Sequence, residues 1–330
     1  MTSERKMRAV RIHELSGPSG LRVDEIPEPK VGAGEVLIDV KAAGVNFPDL
    51  LLSYGKYQFR PDPPFVPGGE AAGIVREVGA GVTSVAPGDR VATTMLNGGY
   101  AETIAVPEAT VVKIGSEVSF EVAAATLLTY STTLHALVDR AELKSGETLL
   151  VLGAAGGVGT AAVELGKLLG ARVIAAASSD EKVAFCQEHG ADAGICYTRE
   201  DLKERTKVLT GGEGASVVYD PVGGALAEQA LRAIAWKGRY LVIGFAAGDI
   251  PKIPLNLVLL KGCQIVGVFW GAFVMRDPQR NREHAAQLFA WVAEGKLRPH
   301  IDAALPFDRA GEALERIARR EVKGKIVLVP

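Results

Sequence analysis

The chain has 330 residues, which is room for two domains. Hydrophobic residues make up 48% and charged ones 23%, a globular balance, and a formal net charge of -2 with no long run of one sign argues against a nucleic-acid partner. The apolar stretches stop short of a membrane span, and the opening MTSERKMRAV lacks the apolar run of a signal peptide.

The first third is rich in glycine and proline. MRAVRIHEL, EVLIDVKAAGV, GIVREVGA and DRVATTM read as strands, with turn signals such as PGD at 87–89 between them, and predict a β-rich, barrel-like region. Near residue 120 the texture changes: SFEVAAATLLTYSTTLHALVDRAEL predicts a helix, broken near Tyr130 where Thr and Ser crowd. Apolar strands then alternate with helices. TLLVLGA leads to the helix of GTAAVELGKLLGA, RVIAAA to that of SDEKVAFCQEHGA, and VVYDPVGG to that of ALAEQALRAIAWKG, before the strand RYLVIGFAAG. Such alternation predicts an α/β unit, a parallel sheet covered on both faces. After about residue 260, CQIVGVFWG reads as a strand, HAAQLFAWVAEGKL and RAGEALERIARR as helices, and KIVLVP as a closing strand. This tail is short for a third domain, so residues 264–330 are expected to join 1–125, with 126–263 as the parallel-sheet domain. Cys186, Cys196 and Cys263 are odd in number and far apart. Each reads as a small buried hydrophobe in a reducing compartment, so a cytoplasmic protein is expected.

The strongest local motif is LLVLGAAGGVGTAAVELGKLLGARVIAAASSDEK. An apolar strand runs into Gly153, Gly156 and Gly159, with Ala155 between them, and a helix follows. Small residues let the backbone turn and approach a pyrophosphate, whose charge sits at the helix N-terminus against the N–H groups of Gly157 and Val158. Folds that select NAD place a carboxylate at the end of the next strand. Here that strand ends in Ala177, followed by Ser178, Ser179, Asp180, Glu181 and Lys182. Hydroxyls and Lys182 are available to a 2′-phosphate, while Asp180 and Glu181 suit a helix first turn. The expected cofactor is NADP.

With these residues in hand, the chain resembles the medium-chain dehydrogenase/reductase superfamily, and within it the quinone-oxidoreductase branch. The resemblance is carried by AAGVNFPDLL, PFVPGGEAAGIVREVGAGV, GDRV, LGAAGGVG, VVYDPVGG, LVIGFAAG and VFWG, in family order. It implies a GroES-like β-rich catalytic domain made from both chain ends, a Rossmann doubly wound domain inserted between them, and a cofactor in the cleft. Zinc-dependent alcohol dehydrogenases of the superfamily place a cysteine where this chain has Asn46, and a histidine where Gly69 precedes Glu70. Tetrahedral zinc sites need three protein ligands, so no metal is expected. The four-cysteine structural zinc loop is also missing, and His13, His135, His189, His284 and His300 are scattered.

Without zinc to polarise a carbonyl, the easier acceptor is one that spreads incoming negative charge, as quinones, enones and enoyl thioesters do. By resemblance, Asn46 lies near the nicotinamide or substrate with Asp49 close by, although Asn46 also suits a turn. Tyr57 has two readings: a hydroxyl that donates a proton after hydride attack, or a lid aromatic. Tyr54 is a weaker candidate. Thr132 matches a threonine that touches the nicotinamide, or is a helix hydroxyl bonded to a backbone carbonyl. Lys182 and Tyr197 match positions near the 2′-phosphate. Gly244, Phe245, Phe269 and Trp270 match segments that flank the nicotinamide, and the last two aromatics also suit a core or a homodimer interface. The expected function is NADPH-dependent reduction of a quinone or enone, a small conjugated carbonyl. The alternatives are an enoyl-thioester reductase, with Lys56 and Arg60 at the rim, and a non-catalytic nucleotide-binding protein of the kind the related lens crystallins exemplify.

Overall fold

The structure is a computed structural model that describes residues 5–330; the first four residues of the opening stretch read above as lacking a leader lie outside it. The chain forms two compact units. One extends to Leu128 and takes back Ala285–Gly295 and Pro299–Pro330; the other holds Thr129–His284 and Lys296–Arg298.

The first unit begins with β1 (Lys6–Ile12), β2 (Leu21–Pro27), β3 (Glu35–Val45), α1 (Phe47–Ser53), β4 (Glu70–Val78), β5 (Arg90–Thr94), β6 (Thr103–Pro107), β7 (Val111–Lys113) and α2 (Phe120–Ala124). β3 is its spine, paired antiparallel with β4 and β6. Val36, Ile38, Val40, Ala43 and Val45 all enter one core. Alternation alone would send Ala43 and Val45 to the other face; the bulge between Val40 and Ala42 corrects the phase. The opposite face, with Ala42, Ala72 and Ala92, packs against Ala123 and Ala124 of α2.

The second unit follows α3 (Leu127–Leu134), which runs into a π-helical turn over His135–Arg140. Strands β8 (Thr148–Leu152), β9 (Arg172–Ala177), β10 (Ala193–Cys196), β11 (Ala215–Asp220), β12 (Ile234–Val242) and β13 (Gln264–Gly267) alternate with α4 (Gly157–Leu168), α5 (Asp180–Glu188), α6 (Leu202–Leu209), α7 (Gly224–Arg232) and α8 (Leu255–Lys261). The strands are parallel in the order β10-β9-β8-β11-β12-β13. Leu150 and Leu152 share a core with Leu202 of α6 and Ala227 of α7. Leu149 and Val173 lie on the other face beneath Gly166 of α4. Both faces are covered, so the strands are apolar throughout. Next come α9 (Trp270–Arg276) and α10 (Pro278–Ala293), then β14 (Ile301–Pro306), α11 (Ala310–Ala318) and β15 (Lys325–Val329), and β15 pairs with β3. Among the described residues no helix is long and apolar enough to cross a membrane.

Several elements differ from expectation. The helix break falls at Ala125–Thr126 rather than Tyr130, because the Thr126 hydroxyl bonds back to the Val122 carbonyl at 2.6 Å and α3 starts afresh. The IAWKG assigned to a helix opens β12, where a register shift lets Ile234 pair with Ala215. The strand expected over CQIVGVFWG ends at Gly267, and Phe269 is the N-cap residue before α9. The return to the first unit comes at Ala285 rather than 264, because β13 extends the parallel sheet beside β12. β10, α6 and β14 had no sequence reading.

Candidate active site

β3 delivers Asn46 at the N-terminus of α1, where its extended backbone leaves Asn46 N–H to donate to Asp49 Oδ2 at 2.8 Å. The Asn46 side chain is fully engaged on its donor side. Nδ2 donates to Glu70 Oε1 at 2.9 Å and to the Gly44 carbonyl at 3.3 Å. Lys325, which opens β15, donates from Nζ to Asn46 Oδ1, to Glu70 Oε1 at 2.6 Å and to the Val45 carbonyl at 3.1 Å. Glu70 Oε2 accepts from the Leu128 amide at 2.9 Å. That amide lies in the first turn of α3, so the break at Thr126 exposes a helix N-terminus that a buried carboxylate caps. Exposure is 4% for Asn46, 0% for Glu70 and 4% for Lys325. A side chain at position 44 has no room: a Cβ would sit 2.1 Å from the Ala124 carbonyl and 2.4 Å from Glu70 Oε1.

Asp49 lies beside this knot. It accepts from Tyr100 Oη at 2.8 Å and from the Gly68 amide at 3.2 Å. Burial pushes its carboxyl up to about 6, against the pull of the Tyr100 hydroxyl, the Asn46 amide and the Lys325 charge. Tyr57 packs against Ile12, Leu52 and Phe65. Its hydroxyl is raised above the ordinary tyrosine range, first by burial and then by the charge on Asp49. Tyr54 is exposed, with Lys56 Nζ 5.4 Å above its ring. The structure thus brings Asn46 and Asp49 together and sets Tyr57 within the field of the Asp49 charge.

In the second unit the expected residues gather at the carboxyl ends of the parallel strands. β8 ends at Leu152, Gly153 follows it with a φ of +58°, and Gly156 precedes the first turn of α4. A Cβ on Gly159 would lie 2.2 Å from the Gly153 carbonyl, so the turn closes only around glycine. Ala155 is buried beneath it, while Gly157 and Val158 are half-buried, with amides that have no helical carbonyl to meet. β9 ends at Ala177, and the Tyr197 amide donates to the Ala177 carbonyl at 3.1 Å. Ser178, Lys182 and Tyr197 therefore share one edge. Ser179 caps α5 by accepting from the Lys182 amide at 3.3 Å, and Asp180 is ion-paired with Arg199. Asp180 and Glu181 occupy the first helical turn, as expected.

Thr132 is half-buried on α3, and among the described residues its hydroxyl has no backbone carbonyl partner; Thr133, next to it, bonds to the Thr129 carbonyl and Tyr219 Oη, both at 2.8 Å. Gly244 and Phe245 lie in the loop after β12. Phe245 lines a cavity of about 190 Å³ with Asp220, Leu231, Tyr240 and Ile253. Phe269 is exposed, and the half-buried Trp270 opens α9.

Sequence reading missed Lys325, Tyr100, Arg199 and Asp220. Asp220 Oδ1 accepts from the amides of Val222 and Gly223, at 2.7 and 2.8 Å, and so fixes the loop after β11. Lys325 left a signal: a lone cation opening a strand of otherwise buried apolar residues. Among the described residues no three His, Cys, Asp or Glu side chains cluster so as to hold a metal ion. The donor set at 46, 69 and 70 does not fit zinc. Gly69 has no side chain, Asn46 Oδ1 faces the Lys325 ammonium, which repels a cation, and Glu70 is paired with the same ammonium.

A family model described as an alcohol dehydrogenase GroES-like domain matches residues 32–116, and one described as a zinc-binding dehydrogenase matches 157–291. The chain is 42% identical to a quinone oxidoreductase-like protein 2 homolog of Nematostella vectensis, over 99% of this chain and 90% of the relative. A probable oxidoreductase from Mycobacterium abscessus superposes with a TM-score of 0.91 at 38% identity, covering 99% of this chain and 100% of that one. An Escherichia coli quinone oxidoreductase complexed with NADPH does so with 0.91 at 30%, covering 98% and 100%. The architecture is a GroES-like domain with a Rossmann domain. The chain belongs to the medium-chain dehydrogenase/reductase superfamily of oxidoreductases, in its quinone oxidoreductase branch.

Proposed function

We propose that the chain is a zinc-independent oxidoreductase that passes a hydride from NADPH to a quinone or another conjugated carbonyl acceptor. The glycine turn supports the cofactor: Gly153 and Gly159 let the strand and helix close against each other, since a Cβ at either would strike protein atoms at 2.8 and 2.2 Å, and Gly156 leaves its side open before the first amides of α4. Ser178, Lys182 and Tyr197 would hold the 2′-phosphate at an edge where β9 ends without a carboxylate. When bound, NADPH supplies the hydride.

The observation that carries the acceptor class is the donor set at Asn46, Gly69 and Glu70. It provides no Lewis acid to draw charge from a simple carbonyl, so an acceptor that delocalises charge is favoured. Steady-state NADPH oxidation with a quinone, an enone and crotonyl-CoA in parallel tests this. The expected result is the highest kcat/KM with quinone or enone. Preference for crotonyl-CoA would replace the reading with enoyl-thioester reduction. Tight NADPH binding with turnover of none of the three would indicate the non-catalytic role. Purified protein should hold far less than one zinc per chain and keep its activity through chelation; stoichiometric, required zinc would overturn the reading.

Isothermal titration should show tighter binding of NADPH than NADH. Lys182→Ala should weaken NADPH by roughly 1–3 kcal/mol and spare NADH, the scale of a charge-assisted bond. Tighter NADH binding in the unmutated protein would sink the assignment.

The homodimer belongs to the same proposal. β13 is the edge of the parallel sheet, and Ile265 on it is exposed along with Leu255, Leu259, Leu260, Phe269 and Met275. A second copy would cover this apolar edge. Light scattering at micromolar concentration should report twice the chain mass, and a monomer would count against it. Buried free thiols at Cys186, Cys196 and Cys263 suit a reducing compartment, in keeping with the cytoplasm.

A further inference from the structure

We propose that Lys325 is the positioning residue of this site: its buried ammonium turns the Asn46 amide so that both N–H groups are consumed inside the protein and only the carbonyl oxygen remains for a ligand. The geometry stands on its own; its catalytic consequence rests on the oxidoreductase reading above.

An ammonium has three donors and no acceptor. Lys325 meets three acceptors, the Val45 carbonyl, Asn46 Oδ1 and Glu70 Oε1. On the other side of the amide, Asn46 Nδ2 donates to Glu70 Oε1 and to the Gly44 carbonyl. Reversing the amide would set Nδ2 against the ammonium and Oδ1 against the carboxylate. Two attractions would become two repulsions in a site with almost no access to water. The register makes the arrangement obligatory: Ile326 of β15 pairs with Val45 of β3, which brings the preceding residue, Lys325, alongside Asn46.

Asn46 therefore has no N–H to offer an acceptor carbonyl on which negative charge builds. Any ligand contact it makes is through Oδ1, which accepts from an O–H or N–H. Two sources carry such a donor, the nicotinamide half of the cofactor and the hydroxyl of the reduced acceptor.

The test uses the full-length protein with Lys325→Met/Glu70→Gln, which removes both charges together and leaves no lone buried ion. If the new carboxamide at position 70 keeps its oxygen on the Leu128 amide, its NH2 faces Asn46 and the Asn46 amide should reverse. The chain has four asparagines, Asn46, Asn97, Asn256 and Asn281, so selective nitrogen-15 labelling gives few side-chain signals to assign. In the unmutated protein both Asn46 amide hydrogens should exchange slowly with D2O. In the folded double variant at least one should exchange roughly tenfold faster, and kcat should fall roughly ten- to hundredfold. Lys325→Arg should recover both. If the donor is on the cofactor, the double variant binds NADPH more weakly but 2′-phospho-ADP-ribose, which lacks the nicotinamide, as before. If it is on the reduced acceptor, NADPH affinity holds and product inhibition weakens. Unchanged exchange, or full activity in the folded double variant, would overturn the proposal and leave Lys325 as a counter-charge for Glu70. If the unmutated protein turns over no acceptor while the exchange results hold, the oxidoreductase reading fails and the positioning role stands.

Discussion

In the Rossmann unit, the proposed phosphate site consists of backbone amides of one short stretch, Gly153 to Gly159, set by a strand end and a helix start. In the GroES-like unit, the candidate centre is made of side chains drawn from Asn46, Asp49, Glu70, Tyr100 and Lys325, with Lys325 and Asn46 279 residues apart. The first kind of site depends on the absence of side chains and is indifferent to pH. The second depends on side-chain charges held away from water, so it responds to protonation and to the loss of any one partner.

The largest expected difference follows from Asp49. Its carboxyl titrates near 3.8 when unfolded and at about 6 when buried in the fold. Between those values the folded state holds the proton more tightly, so the stabilisation from the neutral carboxyl is complete below about pH 4 and is lost as pH rises to about 6. At about 1.4 kcal/mol per unit, that is about 3 kcal/mol. Denaturant titrations of the wild type and Asp49→Asn across this window should differ in slope, with the wild type losing stability relative to the variant as pH rises. The comparison is of slopes, because an asparagine would also set an N–H against the Gly68 amide. Parallel pH profiles would show that Asp49 is not neutral when buried.

Two alanines separate the sites. Gly159→Ala forces a Cβ to within 2.2 Å of the Gly153 carbonyl, and Gly44→Ala does the same against the Ala124 carbonyl at 2.1 Å. Each should cost roughly 1–3 kcal/mol of stability. Gly159→Ala should also weaken 2′-phospho-ADP-ribose binding, whereas Gly44→Ala should leave that affinity alone and lower kcat. Equal loss of affinity in both variants would erase the distinction.

The same contrast explains what was legible in the sequence. The glycine loop, the strand ending at Ala177 and the place of Asp180 and Glu181 in a first helical turn are local, because each depends on residues within a few positions of one another. Asn46 and Asp49 could be named by resemblance, but their partners could not, since Lys325 reaches them only through the pairing of β15 with β3. β10 escaped notice because AGIC is short and carries a glycine, and β12 was misread because AIAWKG continues the apolar spacing of the helix before it. Phe269 and Trp270 were placed on a strand because VFWG is apolar and aromatic; the parallel pairing stops at Gly267, and α9 takes over.

The smallest expected effect belongs to Tyr57, and it divides the two enzymatic readings. Its ring packs against Ile12, Leu52 and Phe65, while among the described residues its hydroxyl has no hydrogen-bond partner. Burial and the charge on Asp49 raise its pKa, so the phenol stays protonated at neutral pH but gives up its proton less readily. After hydride attack on an enoyl thioester the α-carbon must receive a proton, and a positioned hydroxyl accelerates that step by roughly 10²–10⁴-fold. A quinone gives a hydroquinone anion that water protonates without help. Tyr57→Phe keeps the packing and removes the hydroxyl, so stability should change by less than about 0.5 kcal/mol. With quinones, kcat should change only a few-fold and KM should move instead, as for an aromatic that covers the acceptor. With crotonyl-CoA, any turnover present should collapse. A severe loss of kcat with quinones at unchanged NADPH affinity would make Tyr57 a catalytic acid and overturn its assignment as a wall of the site.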